Sequence, residues 1–349
     1  MQNKKLIIAL ISVVCVLSIV VLTLFFVHAN SHKVKLLNVC KNNKWGFIDR
    51  KGKVVVPYKY QILGQVQEGL AVACENFKCG FIDKKGNVKI KFEYDEAYSF
   101  VNGLAVVRKD DKCGFINKKG KLVIPMDYIS ADNFTQGKAP VCRDIGQCGY
   151  VNKLNMEVIP FEYDKVTSFV NGVANVQRGD MWGAINKRGK LVIPMEYQVL
   201  GVLASDKISA CKIIPNINNS IRCGYIDKKG NEVLPFKYIW TVDFSEGIGA
   251  VQGSDTRWYY IDENGENIFG KSYSIASGFS EGLAEICVNP TTCGFADKYG
   301  EPVISVKYSA TSSFKDGIAA VLLNNKWGFI DKRGKTVIPF EFDWTGLVF

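Results

Sequence analysis

One phrase of sequence returns along almost the whole chain. Its clearest copy, Lys-Trp-Gly-Phe-Ile-Asp-Arg-Lys-Gly-Lys-Val-Val-Val-Pro, occupies Lys44–Pro57, and a near-twin occupies Lys326–Pro339. The glycine of the phrase recurs at steps of 34, 34, 35, 34, 41, 35, 35 and 34 residues, at Gly46, Gly80, Gly114, Gly149, Gly183, Gly224, Gly294 and Gly328, with Tyr259 at its place in the seventh copy. A fixed period of this size is typical of a repeat architecture. The chain therefore consists of nine similar units, each packing on its neighbours.

The second copy shows how one unit is built. An apolar strand at Gly69–Ala73 leads through a polar turn at Glu75–Lys78 to a returning strand at Cys79–Ile82. A second turn at Asp83–Gly86 starts a third strand that runs through Ile90. Short strands separated by turn residues at this spacing predict an all-β fold made of antiparallel hairpins.

Glycines mark the turns of the unit. Glycine closes the second turn in eight copies and Asn155 replaces it in one, the glycines being Gly52, Gly86, Gly120, Gly189, Gly230, Gly265, Gly300 and Gly334. Glycine also opens the first strand in most copies, at Gly69, Gly103, Gly137, Gly172, Gly247, Gly282 and Gly317, with Asp206 in its place once. Asn and Asp are the residues that best tolerate a positive φ after glycine. Both positions are therefore predicted to have left-handed backbone, which is turn chemistry rather than a phosphate loop.

Two series of apolar residues follow the same period. One is aromatic in all nine copies: Tyr60, Tyr94, Tyr128, Tyr163, Tyr197, Tyr238, Tyr273, Tyr308 and Phe342. The other precedes the strand-opening glycine: Val66, Phe100, Phe134, Phe169, Leu203, Phe244, Phe279 and Phe314. Such a stripe could be a ligand platform, but packing between neighbouring units is the favoured interpretation.

The repeated phrase, followed by an aromatic residue and later by Phe-x-x-Gly-Leu-Ala-x-Val, resembles the WG-repeat family of bacteria. The resemblance covers about residues 34–349. It implies a β-rich repeat module, often of envelope or secreted proteins, without a shared enzymatic activity or functional residues to carry over. The chain departs from the family where Cys replaces Trp, at Cys79, Cys113, Cys148, Cys223 and Cys293.

Four of these five cysteines have a second cysteine at the end of the preceding strand. The pairs are Cys74 with Cys79, Cys142 with Cys148, Cys211 with Cys223, and Cys287 with Cys293. Strand ends that flank a hairpin turn face each other closely enough for a disulfide, which would replace the packing of the missing Trp. Zinc binding and redox catalysis are weaker alternatives, because the gaps exceed those of zinc knuckles and no neighbour would activate a thiolate. Cys40 and Cys113 lack a partner in their own copies and are expected to be free or buried.

The N-terminal residues differ from the repeats. Lys4 and Lys5 precede an uncharged run at residues 6–27, long enough to span a bilayer. We expect a cytoplasmic stub at 1–5, a transmembrane signal-anchor at 6–27, a linker at 28–33 and an extracytoplasmic repeat domain at 34–349. This predicts a single-pass protein of the bacterial inner membrane, with the N-terminus in the cytoplasm and the repeats periplasmic or extracellular. Secretion after cleavage near Ala29 is the alternative.

The composition narrows the possible chemistry. The only two histidines, His28 and His32, precede the repeats, which excludes histidine-based catalysis and histidine metal sites from the repeat region. The carboxylates recur with the turns and form no isolated acid–base pair. We therefore expect no catalytic residue, no cofactor and no metal.

Two features exceed what a scaffold needs. The second turn carries paired cations in six copies, and stacking would align them into a basic ridge able to follow an anionic polymer: Arg50, Lys51, Lys84, Lys85, Lys118, Lys119, Lys187, Arg188, Lys228, Lys229, Lys332 and Arg333. The simpler interpretation is that these lysines keep exposed turns soluble. The second feature is a long hairpin between Cys211 and Cys223, whose tip at residues 215–220 is either a contact loop or a tolerated insertion.

The predicted fold is an antiparallel β-hairpin array of nine units in an open or superhelical stack, because propellers usually have four to eight blades. A closed propeller-like ring is the alternative. The predicted function is a non-catalytic, membrane-tethered binding or scaffold module of the bacterial envelope that recognises a protein or an anionic polymer, and no nucleic acid. An envelope hydrolase on a propeller-like fold and a purely structural envelope protein are the alternatives.

Overall fold

The computed structural model describes residues 36–202, 206–215 and 220–346, and their strands form nine small antiparallel sheets. Eight sheets have four strands and one has three. We call each sheet a blade and number the blades along the chain. The all-β prediction is confirmed.

The first blade contains β1 (Leu36–Lys41), β2 (Lys44–Asp49), β3 (Val54–Tyr60) and the last strand of the chain, β35 (Trp344–Thr345). Blade 2 contains β4 (Ile62–Leu63), β5 (Leu70–Glu75), β6 (Lys78–Asp83) and β7 (Val88–Tyr94), and blade 3 contains β8 (Glu96–Ala97), β9 (Leu104–Lys109), β10 (Lys112–Asn117) and β11 (Leu122–Tyr128). Blade 4 contains β12 (Ser130–Ala131), β13 (Ala139–Asp144), β14 (Gln147–Val151) and β15 (Glu157–Tyr163), and blade 5 contains β16 (Lys165–Val166), β17 (Val173–Arg178), β18 (Met181–Asn186) and β19 (Leu191–Tyr197). Blade 6 contains β20 (Val199–Leu200), β21 (Ile208–Ile214), β22 (Ser220–Ile226) and β23 (Glu232–Tyr238), and blade 7 contains β24 (Trp240–Ser245), β25 (Ile248–Gln252) and β26 (Trp258–Ile261). Blade 8 contains β27 (Ile275–Ala276), β28 (Leu283–Asn289), β29 (Thr292–Asp297) and β30 (Pro302–Tyr308), and blade 9 contains β31 (Ala310–Thr311), β32 (Ile318–Leu323), β33 (Lys326–Asp331) and β34 (Thr336–Phe342).

The second turn of each unit is held by its first side chain. In blade 2, Asp83 Oδ1 accepts hydrogen bonds from the backbone N–H groups of Lys85 and Asn87, at 2.8 and 3.0 Å. The hydrogen bond from the Asn87 side chain is the largest of the effects that lower the pKa of Asp83. Gly86 then reverses the chain with a φ of 88°. The predicted left-handed glycines are confirmed at this position throughout the described repeats, and Asn155 also has a positive φ, of 60°.

The glycine of the repeated phrase lies where the third strand crosses the second most closely. A Cβ on Gly80 would lie 2.5 Å from the carbonyl oxygens of both Ile90 and Lys91. The register between β6 and β7 shifts at this point, between Cys79 and Phe81. Only a residue without a side chain allows this approach.

Blade 7 shows the consequence of losing that glycine. Tyr259 occupies the position, and β26 forms only isolated bridges with the segment that replaces the third strand, at Trp258–Tyr273 and Ile261–Asn267. The sheet therefore has three strands.

The ends of the repeat array meet and close a ring. β35 follows blade 9 in the chain but pairs with β1 in the first blade, with Val39 opposite Thr345 and Cys40 opposite Trp344. Gly346 N donates to Asn38 O at 3.0 Å, and Asp343 N donates to Cys40 O at 2.9 Å. The fold is a closed nine-bladed β-propeller.

The contacts between successive blades show why the array closes. In blade 2, Gly86 lies against Val56 of blade 1, with 3.2 Å between its Cβ position and Val56 Cγ1. The same contact joins Gly52 of blade 1 to Ile338 of blade 9, at 3.6 Å to Cγ2. The first and last units thus make the same contact as Gly120 with Ile90, Gly189 with Ile159 and Gly334 with Ile304 between other neighbouring blades. The predicted open or superhelical stack is wrong, because the pairing of β35 with β1 joins the last unit to the first, and the alternative ring is correct.

Aromatic rings fill the space between blades. Residues of the second aromatic series pack on the blade before them, with ring centroids 4.7–5.3 Å apart in the pairs Phe81–Phe100, Phe115–Phe134, Tyr150–Phe169, Tyr225–Phe244, Tyr260–Phe279 and Phe295–Phe314. The first series, from Tyr60 to Phe342, is buried throughout. Such pairs contribute roughly 0.5–1.5 kcal/mol each beyond the area they bury. The prediction that these residues form core is confirmed for the first series and for the paired rings of the second, with Val66 and Phe244 partly buried; Leu203 lies outside the described residues.

The segments predicted at residues 1–5, 6–27 and 28–33 lie outside the described residues, as does the alternative cleavage near Ala29. Among the residues that the structure describes, no helix has the length and apolar character needed to cross a bilayer. The predicted single-pass inner-membrane location is therefore not retained: the described residues contain no such helix, and the predicted span lies outside them.

Candidate functional site

Four disulfides join the first and second long strands of their blades. The bridges are Cys74–Cys79, Cys142–Cys148, Cys211–Cys223 and Cys287–Cys293, each with a Cα–Cα distance of 4.0 Å. Every pair is directly opposite in the strand register. The predicted bridges are therefore present, and each closes a hairpin at the end away from the second turn.

The two cysteines without a partner in their copies lie at the paired position of the bridges but on different strands, Cys40 on the first long strand and Cys113 on the second. Cys40 lies opposite Trp45, and Cys113 lies opposite Arg108. Both thiols are free and buried, and burial raises their pKa. A raised pKa disfavours the thiolate, so neither is an activated nucleophile.

One carboxylate lies beside a bridge. An oxygen of Glu285 and the sulfurs of Cys287 and Cys293 lie within 4.8 Å of one another. Both sulfurs are joined in a disulfide and offer no thiolate to a metal. Burial raises the pKa of the Glu285 carboxyl, which fits a residue enclosed between blades 8 and 9.

The predicted basic ridge lies on one face of the ring. All its residues belong to the turn that joins the second and third long strands, and that turn has the same place in every blade. We call this side the turn face. Its first position holds Arg50, Lys84, Lys118, Lys153, Lys187, Lys228, Glu263, Lys298 and Lys332, and its second position holds Lys51, Lys85, Lys119, Leu154, Arg188, Lys229, Asn264, Tyr299 and Arg333.

The first position contacts the preceding blade in several units. Lys118 Nζ lies 2.9 Å from Glu68 Oε2 and also donates to the Glu68 carbonyl at 3.0 Å. The hydrogen bond from Lys118 is the largest effect on the pKa of Glu68, which is lowered. Lys332 contacts Glu281 in the same way, with 3.1 Å to the carboxylate and 2.8 Å to the carbonyl.

The same position also joins the ends of the ring. Arg50 of blade 1 donates to the carbonyl of Asp316 in blade 9, at 2.6 Å. In blade 7 the charges are exchanged, with Glu263 3.6 Å from Lys207 of blade 6. These first-position side chains therefore act as clamps between blades.

Not every first-position cation follows this pattern. Lys228 pairs with Asp206 of its own blade, at 2.7 Å. Lys84 and Lys187 are exposed and form no ion pair with another described residue. The ridge predicted from sequence thus contains two kinds of cation, and only part of its first position is engaged in the fold.

The second-position cations face solvent. Their backbone N–H groups bond to the Asp or Asn that starts the turn, as Lys85 N does to Asp83. Their side chains form no hydrogen bond or ion pair within the described part of the chain, and they are Lys51, Lys85, Lys119, Arg188, Lys229 and Arg333. These six groups are available to a ligand without breaking a contact of the fold.

The long hairpin of blade 6 lies on the opposite face. β21 and β22 extend past the bridge by three paired positions, of which Ile213 opposite Ile221 is exposed on both strands. Residues 216–219 of its predicted contact tip lie outside the described residues, so only its base is described.

Sequence reasoning missed the partners of the clamps. Glu68, Glu281 and Asp316 each precede a strand-opening glycine, and Glu246 occupies the same place in blade 7. The repetition of an acidic residue directly before the strand-opening glycine was the sequence signal that these residues have a shared role. Its partner could not be identified, because the contact joins turns about 50 residues apart, as Lys118 and Glu68 are.

A family model described as "WG containing repeat" matches the chain nine times, at residues 45–79, 80–113, 114–144, 149–182, 182–212, 224–252, 259–289, 294–327 and 327–347. Comparison with curated proteins gives no match.

Comparison with solved structures finds similar chains of low sequence identity. The crystal structure of a eukaryotic initiation factor is similar with a TM-score of 0.63 at 8% identity, covering 90% of this chain and 97% of that one. A computationally designed protein, Ika8, has a TM-score of 0.47 at 11% identity over 87% and 98% of the two chains. BamB from Moraxella catarrhalis has a TM-score of 0.40 at 8% identity over 85% and 88%. Only the first similarity is close enough to support the propeller fold, and it indicates nothing about activity.

Proposed function

Because the chain belongs to the WG containing repeat family, we propose that it is a non-catalytic binding module that holds an anionic partner on its turn face. The observation that carries this proposal is the set of six second-position cations. They lie on one face of a closed ring, and their side chains form no hydrogen bond or ion pair with another described residue. A solvated surface of this kind attracts anions over several ångströms without a pocket.

Further features support binding rather than catalysis. The repeats contain no histidine, the buried thiols have a raised pKa, and the turn carboxylates are occupied by their own backbone N–H groups. Four disulfides favour an oxidising compartment outside the cytoplasm as the place of action.

The test is co-sedimentation of the purified full chain, with its disulfides intact, with cell-envelope fractions over a salt series. We expect saturable binding that weakens as salt rises, because exposed charges are screened within a Debye length of about 10 Å at 0.1 M. A variant with all six second-position cations changed to Gln is expected to lose it. A control with four lysines of the third strands changed to Gln (Lys59, Lys91, Lys237 and Lys307) is expected to retain most of it. Binding to no fraction, or equal loss in both variants, would overturn the proposal.

A further inference from the structure

The charge on the turn face is divided unevenly around the ring. Blades 9, 1, 2 and 3 form the longest run of neighbouring turns with two or three cations each: Lys332, Arg333 and Lys335; Arg50, Lys51 and Lys53; Lys84 and Lys85; Lys118, Lys119 and Lys121. Blades 5 and 6 form a shorter run, with Lys187, Arg188 and Lys190 and with Lys228 and Lys229, and Leu154 of blade 4 separates the two runs. Besides the Asp that starts the turn, which blades 9, 1 and 2 also have, the turn of blade 7 carries Glu263 and Glu266, and that of blade 8 carries Lys298 and Glu301. The second position therefore holds a cation without interruption from blade 9 to blade 3, and an uncharged residue in blades 4, 7 and 8.

Ring closure is what makes the longest run continuous. In sequence, Arg333 and Lys51 stand at opposite ends of the repeat region. In the ring their turns are neighbours, since Gly52 packs on Ile338 and Arg50 bonds to Asp316. We call the turns of blades 9, 1, 2 and 3 the basic arc, and its second-position side chains are Arg333, Lys51, Lys85 and Lys119.

We propose that the basic arc binds a linear polyanion that runs along successive blades from blade 9 to blade 3. This deepens the function proposed above and rests on it. Each second-position cation is exposed, so its interaction with one anionic group is weak. A polymer with an anionic group at every unit engages four turns at once, and the linked contacts raise its affinity far above that of one group.

The same geometry argues against a small single anion as the ligand. The cations of the arc belong to different blades and do not converge on one point, whereas tight anion sites surround one group with several donors. The arc ends at blade 9 because Tyr299 and Asn264 replace the cation in blades 8 and 7, where Glu301 pairs with Lys271 and Glu263 pairs with Lys207. The other end of the arc is set by Leu154, which replaces the cation in blade 4 and is 77% exposed.

Loss of charge inside and outside the arc gives the first test. The probes are long-chain inorganic polyphosphate and polygalacturonate, with neutral dextran as blank, titrated into the full chain by calorimetry at low and moderate salt. We expect K51Q/K85Q to bind the preferred polymer at least tenfold more weakly. The matched double variant R188Q/K229Q removes the same charge from the same turn position outside the arc, and we expect less than a threefold change.

Gain of charge gives the second test. Leu154 interrupts the basic turns between blade 3 and blade 5, so Leu154→Lys is expected to extend the arc and raise affinity several-fold. Ile145 of the same blade is 90% exposed at the opposite end of β14. Ile145→Lys adds the same charge on the other face and is expected to leave affinity within twofold.

The two polymers distinguish the anionic groups that the basic arc binds. Binding of polyphosphate but not polygalacturonate identifies phosphate groups as the ligand chemistry, and the reverse result identifies carboxylates. Equal effects of the two double variants, or of the two lysine insertions, overturn the arc in favour of net charge alone. If neither polymer binds while envelope co-sedimentation stays saturable, the arc is wrong and the binding function stands.

Discussion

The glycine of the repeated phrase and the glycine that opens the first strand are required for different physical reasons. Gly80 is required by the close passage of the third strand, with carbonyl oxygens 2.5 Å from its Cβ position. Gly103 is required only by its backbone, which has a φ of 84° and nothing within 4 Å of its Cβ position. The sequence marks both as glycine, but only the structure separates crowding from conformation.

A Gly→Ala substitution is therefore expected to lower the free energy of unfolding by different amounts at the two positions. We expect Gly103→Ala to cost about 1–2 kcal/mol of unfolding free energy through left-handed strain. We expect Gly80→Ala to cost about 1–3 kcal/mol more, because the clash involves backbone atoms that cannot rotate away. Denaturant midpoints of the two variants measure this, and a Gly80→Ala variant as stable as Gly103→Ala would contradict it.

Phe77 has a left-handed backbone conformation that a bulky aromatic residue rarely adopts. It ends a two-residue hairpin turn with a φ of 59° and is 85% exposed. The equivalent residues Asn43, Asp111 and Asn325 have the same backbone and tolerate it better.

We expect Phe77→Asn to raise stability by about 0.5–1 kcal/mol, because strain of this kind costs on the order of 1–3 kcal/mol for a bulky residue. Phe77→Leu keeps the strain while removing the ring, and it is expected to leave the thermal midpoint unchanged. Thermal unfolding followed by circular dichroism measures both. Equal gains for Asn and Leu would assign the effect to the exposed ring instead.

At the scale of the element, the blade could be predicted from sequence because its signals are local. Hairpin turns, strand-opening glycines and opposed cysteines all act within one unit, and the bridge Cys74–Cys79 follows from strand register alone. Blade 7 could not be predicted in the same way. The effect of Tyr259 depends on how closely the third strand approaches, which no local pattern records.

The register also predicts where a fifth bridge can form. Arg108 lies opposite Cys113 as Cys74 lies opposite Cys79. We expect Arg108→Cys to form a disulfide, and loop closure to raise the free energy of unfolding by up to about 2 kcal/mol. The stabilisation from the contacts of Arg108 with Glu96 and with the Ile129 carbonyl is lost in this variant and reduces that gain.

Thiol titration in denaturant distinguishes the outcomes for Arg108→Cys. The number of free thiols is expected to fall by one relative to the wild type, because the new cysteine and Cys113 are both consumed. Lys109→Cys places a cysteine at the next, exposed position and is expected to raise the count by one. A rise in both variants would show that the opposed pair does not bridge.

At the scale of the whole molecule, the sequence could not distinguish a stack from a ring. The period establishes that units pack on one another, but it does not give the angle between them. Closure depends on a two-residue strand, Trp344–Thr345, whose partners Cys40 and Val39 lie about 300 residues away. The basic arc depends on the same contact, so the candidate site was predicted as a set of residues but not as a continuous surface.

The closure itself gives the last prediction, through two aspartates with the same contacts. Asp343 accepts a hydrogen bond from Asn42 N at 2.6 Å across the closure, and Lys326 pairs with it at 2.5 Å. Asp95 accepts from Asp110 N at 3.0 Å and pairs with Lys78 at 2.5 Å, between blades 2 and 3. The chain continues from β8 into β9 within blade 3, whereas in blade 1 β35 is held to β1 by non-covalent contacts. We therefore expect Asp343→Ala to open the ring locally and Asp95→Ala to leave it closed.

Hydrogen exchange measures this opening at the amides of β1 and β35. Exchange there is expected to rise at least tenfold in Asp343→Ala and to stay within twofold in Asp95→Ala. The ion pair with Lys326 is the main cause of the lowered pKa of Asp343. Its stabilisation is therefore complete above the ordinary aspartate pKa of about 4 and is lost as pH falls through the lower folded value. The wild type is expected to approach the exchange of Asp343→Ala only at such acidic pH, after correction for intrinsic exchange. Equal exchange in both variants at neutral pH would mean that the closure is no weaker than a covalently linked pair of blades.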